Sequence, residues 1–161
     1  METLDHIIQS HPFWEGLNPR YLPILHECAT IAKFGVGQPI LHAGVDADRF
    51  YLICTGRVAL ETFVAGKGAI TIETLDAGEA RGWSWLFPPY RWNFSACSLD
   101  LTEAVAFGAH RLRKYAEEDH DFGYELTTRV GQALLQRLQA TRLQLVHSMS
   151  HLESDPVPLS P

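Results

Sequence analysis

Between about residues 30 and 107 the sequence breaks into short β-prone runs separated by glycines, and this punctuation limits the fold more than any other feature. The runs IAKFGVGQPILHAG, DADRFYLICTG, RVALETFV, AITIETLDAG and FSACSLDLTEAVAFG follow one another at the spacing of an all-β barrel or sandwich. Gly35, Gly37, Gly44, Gly56, Gly66, Gly68, Gly78 and Gly108 fall between them, and the AGKG segment (65–68) reads as a hairpin turn. Ahead of this region the chain reads as helix, turn, helix, strand. Asn18 followed by Pro19 is a helix opening, and Leu22, Ile24, Leu25 and Cys28 give that helix an apolar face.

After Gly108 the pattern turns helical. AHRLRKYAEEDHDFG predicts a short helix with a break near Asp119 to Asp121, and YELTTRVGQALLQRLQATRLQLVHSM predicts a long one. In the long helix Gly131, Leu134, Leu138, Thr141 and Leu145 alternate in steps of three and four, the seam of a two-stranded coil. Leu126, Val130, Leu135 and Val146 widen that face. A helix of about 26 residues is about 39 Å long, more than a small barrel can cover, so a dimer helix is expected with Leu134, Leu138, Thr141 and Leu145 at its contact. The expected organisation is one domain over residues 1–149, with the barrel at about 30–108, the C-terminal helix at about 122–149 and a disordered, proline-rich tail at 150–161.

A chain of 161 residues has room for one core of good size and hardly for two. Its net charge of −6 and thinly spread basic residues argue against nucleic-acid binding, which needs a cationic stripe. The cluster Arg111, Arg113 and Lys114 reads as a solvated helix start. No signal peptide or membrane span is expected from METLDHIIQSHPFW or from any later run. Cys28, Cys54 and Cys97 are scattered without CxxC spacing, which suits a reducing, cytoplasmic setting.

In GQPILHAGVDADRFYLICTGRVAL the residues Gly37, Ile40, Leu41, Gly44, Asp48, Phe50, Tyr51, Leu52, Ile53, Gly56 and Val58 stand at fixed offsets. This stretch, with the order helix, barrel, long helix, resembles the cyclic-nucleotide-binding domain of the catabolite activator superfamily over roughly residues 10 to 147. The resemblance implies a mainly β fold with flanking helices, a double-stranded β-helix (jelly-roll) barrel followed by a long C-terminal dimerisation helix. It implies a non-catalytic sensor with cyclic AMP or cyclic GMP as ligand, and a ligand-driven shift at a hinge near Glu118 to Gly123. Regulators of that superfamily continue into a helix-turn-helix module. With the chain ending at Pro161, a stand-alone sensor acting through a protein partner is expected.

The family's phosphate-binding cassette carries a Gly-Glu pair and, further on, a Pro-Arg pair. Its Glu holds the ribose hydroxyl and its Arg pairs with the phosphate. The matching stretch here is GWSWLFPPYRWNFSA, residues 82 to 96. Gly82 keeps its place, Trp83 stands where the Glu belongs, Trp92 stands where the Arg belongs, and Arg91 is one residue early. An indole replaces neither charge, which argues against the family's usual cyclic AMP binding. Two readings stay open. The rings of the segment fill the pocket themselves, or an apolar, planar effector stacks on them with Ser84 or Arg91 as polar contact. The ligand candidates are therefore Gly82, Trp83, Ser84, Arg91 and Trp92, and no metal is expected. A ligand-independent interaction module is the alternative function. A cupin-like metalloenzyme is a further one, against which stands the lack of an HxH pair. His11, His120, His147 and His151 read as surface or helix-end residues.

Overall fold

The computed structural model describes residues 3–81 and 83–154, and contacts divide the chain into a unit up to Leu126 and a second from Thr127. The first unit opens with helix α1 (Leu4–Ser10), capped by Thr3, whose hydroxyl accepts from His6 N–H. Two 3-10 turns follow at Pro12–Trp14 and Pro19–Tyr21. Asn18 caps the second, accepting from Arg20 N–H at 3.1 Å, and the chain runs on into α2 (Leu22–Cys28), as the Asn-Pro opening predicts. Leu25 and Cys28 bury its apolar face, and burial pushes the Cys28 thiol up to about 11, with the neighbouring Glu27 charge adding to the rise.

Eight strands come next: β1 (Ala29–Phe34), β2 (Pro39–Leu41), β3 (Arg49–Thr55), β4 (Val58–Val64), β5 (Gly68–Leu75), β6 (Ala80–Arg81), β7 (Ser95–Ser98) and β8 (Thr102–Gly108). They form two four-stranded sheets in the orders β1-β8-β3-β6 and β2-β7-β4-β5. All pairs are antiparallel, with Phe50 opposite Phe107 in the first sheet and Leu60 opposite Ala96 in the second. The fold is the expected jelly roll, mainly β with flanking helices. Among the described residues the ladders make two sheets, not one closed barrel. Side chains alternate only in part along β3: Phe50 and Leu52 are fully enclosed and Tyr51 between them is half-buried, but Ile53 is buried as well.

The bend between β3 and β4 depends on Gly56, at φ +94°. A Cβ there would lie 2.5 Å from the Leu101 carbonyl oxygen and 2.7 Å from Thr102 Cα, so the β7–β8 turn passes directly over it. The first unit closes through α3 (Ala109–Glu118) and the opening turns of α4 (His120–Ser154). Asp119 marks the predicted break and caps α4, its Oδ1 accepting from Asp121 and Phe122 N–H at 3.1 and 3.2 Å. The corner is close-packed, for a Cβ on Gly123 would meet the Ala116 carbonyl oxygen at 2.6 Å.

The second unit is the rest of α4. The helix continues to Ser154, so residues 150–154 of the expected tail are helical; residues 155–161 lie outside the described residues. Leu134, Leu138 and Leu145 of the expected seam are 37%, 49% and 59% exposed, and Leu152, one heptad beyond Leu145, is 75% exposed. Thr141 is exposed and turns its hydroxyl to the Arg137 carbonyl of its own helix. No helix among the described residues is long and apolar enough to cross a membrane.

Candidate functional site

The segment joining β6 to β7 carries the ligand candidates. It begins with a 3-10 turn at Trp83–Trp85, extended by Leu86 N–H bonding the Trp83 carbonyl at 3.0 Å. The Pro88–Pro89 bond is cis, and Tyr90 stands at φ +58°, held by its N–H to the Phe87 carbonyl at 2.9 Å. The chain then pairs with residues 44–47. Ala47 N–H donates to the Tyr90 carbonyl at 2.7 Å, Trp92 N–H to the Val45 carbonyl at 3.0 Å, and Gly44 N–H to the Trp92 carbonyl at 2.8 Å. These bonds fix the second half of the segment to the turn that precedes β3.

The indoles point inward. Trp83, Trp85 and Trp92 are 8%, 0% and 4% exposed. Trp83 stacks on Phe13 at 5.8 Å between ring centres and tilts against Phe50 at 5.4 Å; Trp85 stacks on the same Phe50 at 5.4 Å. Phe50 in turn meets Phe107, and Trp14 reaches both at wider angles. The Trp83 and Trp85 indoles and the N-terminal turn thus share one aromatic core around Phe50, with offset and edge contacts each worth about 0.5–1.5 kcal/mol beyond area burial. Ser84 is half-buried, and Gly82 lies outside the described residues.

Arg91 behaves differently. Its side chain is 62% exposed, its Nη1 donates to the Gly44 carbonyl at 3.4 Å, and its Nε lies 3.9 Å from Asp46 Oδ1. Of the five candidates, then, Trp83 and Trp92 are core, and Arg91 is the cation the segment presents at the surface. A separate cleft of about 210 Å³ lies among Gln9, Trp14, Gly16, Leu17, Pro19 and Leu22, and none of the five candidates lines it.

Two residues at the site escape a reading of the sequence. Arg113 of α3, taken there as part of a solvated cluster, is half-buried; its guanidinium donates to the Trp85 carbonyl and lies 4.2 Å from the centre of the Tyr90 ring. It ties the segment to α3. The only local signal is its place beside Leu112, a fully buried residue. His11, read as a surface or helix-end residue, does stand at the end of α1 but is only 5% exposed. Its Nε2–H donates to the Ile53 carbonyl at 3.1 Å, and its Nδ1 accepts from Phe13 N–H at 3.2 Å while capping the first 3-10 turn. Both ring nitrogens are thereby assigned, and the neutral ring fits where the imidazolium would set N–H against N–H.

Burial holds the His11 pKa below its usual value, with the Ile53 carbonyl pulling weakly the other way. The folded state therefore binds this proton less readily than the unfolded chain. Its contribution to stability is complete above about pH 6.5 and is lost as pH falls through the lowered folded value, at no more than about 1.4 kcal/mol per pH unit. Urea midpoints measured from pH 7.5 down to 5 should fall. The fall should be shallower in His11→Gln, whose amide still reaches the Ile53 carbonyl. Equal slopes in the two proteins would remove His11 from the account.

Comparison with known proteins places this geometry. The family model described as the cyclic nucleotide-binding domain matches residues 31–119. No curated protein sequence matches the chain. Among solved structures, a candidate cyclic nucleotide-binding protein from Geobacter metallireducens GS-15 is 25% identical, with a TM-score of 0.75, over 85% of this chain and 99% of that one. A cyclic nucleotide-binding domain from Methylobacillus flagellatus KT is 18% identical, also with a TM-score of 0.75, over 88% and 80%. The catabolite activator protein of Thermus thermophilus is 22% identical, with a TM-score of 0.67, over 86% of this chain and 63% of its own.

Proposed function

The chain belongs to the cyclic nucleotide-binding domain family, and from that premise we propose that it is a non-catalytic, small-molecule sensor whose phosphate cassette has been remodelled. The observation that carries this reading is the split between the two halves of the cassette. The position of the family's ribose-binding carboxylate is held by Trp83, packed on Phe13 and Phe50, while Arg91 remains at the surface, bonded to the Gly44 carbonyl and beside the exposed carboxylate of Asp46. An exposed ion pair is worth little, so Asp46 can yield Arg91 to an anionic effector at small cost. Arg113 supports a route of response, since movement of the segment is felt at α3 through the Trp85 carbonyl and the Tyr90 ring.

Calorimetric titration with cyclic AMP and cyclic GMP tests the proposal. Saturable heat in the micromolar range with either nucleotide, abolished in Arg91→Ala, would establish the sensor reading with Arg91 as the phosphate's partner in spite of the lost carboxylate. Flat heats with both would favour a second reading, a ligand-independent interaction module, which the burial of Trp83, Trp85 and Trp92 supports.

The proposal includes a homodimer through α4. Leu138 and Leu145 are half-exposed or more at seam spacing, and burial of such side chains is worth about 1.5–3 kcal/mol each. Sedimentation should show a dimer, and Leu138→Asp with Leu145→Asp should give a monomer with unchanged β-sheet content. A monomeric parent protein would end the dimer proposal without touching the sensor reading. Three free cysteines suit a reducing compartment such as the cytoplasm.

A further inference from the structure

We propose that His147 and His151, near the end of α4, form a chelating site for a divalent transition-metal ion, Cu²⁺ foremost. Residues four apart on a helix share a face. Here the sharing is close: the two Nε2 atoms lie 2.9 Å apart and the rings meet at 89° with centres 4.3 Å apart. Two imidazole nitrogens each about 2.0–2.1 Å from one ion, and at right angles about it, are about 2.9 Å apart. That is the separation found, and right-angled ligand pairs belong to tetragonal Cu²⁺ and Ni²⁺. The separation fits the ion, and a rotation of each ring turns both lone pairs from one another toward it, so the helix has already met much of the entropy of bringing two ligands together.

In the free protein one Nε2–H donates to the other Nε2. Coordination needs both Nε2 lone pairs, so the shared proton passes to Nδ1 of its own ring through solvent; two neutral imidazoles enter the complex and no net proton is released. Both histidines are exposed, and the positions three and four residues from them (Leu143, Gln144, Ser148, Ser150, Ser154, Asp155) include no cation to repel the metal. Among the described residues no group of three or more His, Cys, Asp or Glu side chains comes together. Among the described residues the site is thus a two-ligand chelate. Both histidines belong to the second unit.

The test uses the full chain without an affinity tag. Cu²⁺ is titrated calorimetrically in a non-coordinating buffer at pH 7.5, and the electron paramagnetic resonance spectrum of the one-equivalent complex is recorded. One saturable site per chain with nitrogen ligands is expected. His147→Gln and His151→Gln should each weaken it by about tenfold or more, since losing a ligand costs at least what losing a ligand's hydrogen-bond partner does. His42→Gln, at an exposed histidine elsewhere, should bind as the parent does, and all three variants should keep the parent's far-ultraviolet circular dichroism. Binding by His147→Gln and His151→Gln equal to the parent's, or no saturable site in the parent, would overturn the proposal.

Discussion

Gly56→Ala is expected to be the most damaging single-methyl change in the first unit, lowering stability by about 2–6 kcal/mol. Two costs combine. An alanine at φ +94° is held in a backbone region that costs about 1–3 kcal/mol, and a methyl forced into close packing costs about 1–3 kcal/mol more. The second cost cannot be relaxed by a side-chain rotation, because the neighbours at 2.5 and 2.7 Å are the Leu101 carbonyl oxygen and Thr102 Cα, both backbone. Gly66→Ala separates the two. Gly66 stands at φ +82° with nothing within 4 Å of the added Cβ, so its variant should bear the conformational cost alone. Urea denaturation of both variants decides the matter. Equal losses would mean that the turn over Gly56 moves aside freely and that the steric cost is absent.

Trp85→Ala should cost about 3–5 kcal/mol, the range for emptying an aromatic site in a core, and lower the melting temperature by roughly 6–20 °C. Trp85 is fully buried, stacked on Phe50, and it anchors through its carbonyl the guanidinium of Arg113. Trp85→Phe should cost much less, about 1–2 kcal/mol. The indole Nε1 is buried without a hydrogen-bond partner among the described residues, so a phenyl ring gives up packing volume but also removes an unsatisfied donor. Thermal unfolding of the two variants reads ring packing alone, since the backbone carbonyl that holds Arg113 stays in both. If the Phe variant falls as far as the Ala variant, the shape of the indole, and not its apolar bulk, is what the core requires. The same pair bears on function, since an emptied Trp85 site that bound cyclic nucleotide where the parent did not would show the indoles to be a plug.

The run of short strands, the hairpin turn read at 65–68 and found between Val64 and Gly68, the Asn18 helix opening and the break at Asp119 were legible because each rests on neighbours in the chain. Turn residues, caps and two-residue alternation act over a few positions, and the family pattern from Gly37 to Val58 is a string of such local demands. The end of α4 was misplaced by five residues, because Ser150, His151 and Leu152 are compatible with helix and polarity alone gives no stop signal.

What the sequence by itself determined is therefore the class of fold; it also drew attention to one segment, where the resemblance leads one to expect Trp83 and Trp92 at the positions of two charges and Arg91 one residue away. Only the tertiary structure decided which way those side chains face. Trp83 is core because Phe13, seventy residues earlier, arrives beside it, and Arg91 is surface because residues 44–47 take up its backbone. Arg113 and Trp85 are 28 residues apart, and His11 and Ile53 are 42. Hydrophobic periodicity reports the face of an element, not the element it will meet. A half-buried cation that clamps a carbonyl and a neutral histidine that bridges two segments obtain their roles from partners whose distance in the chain carries no local signal.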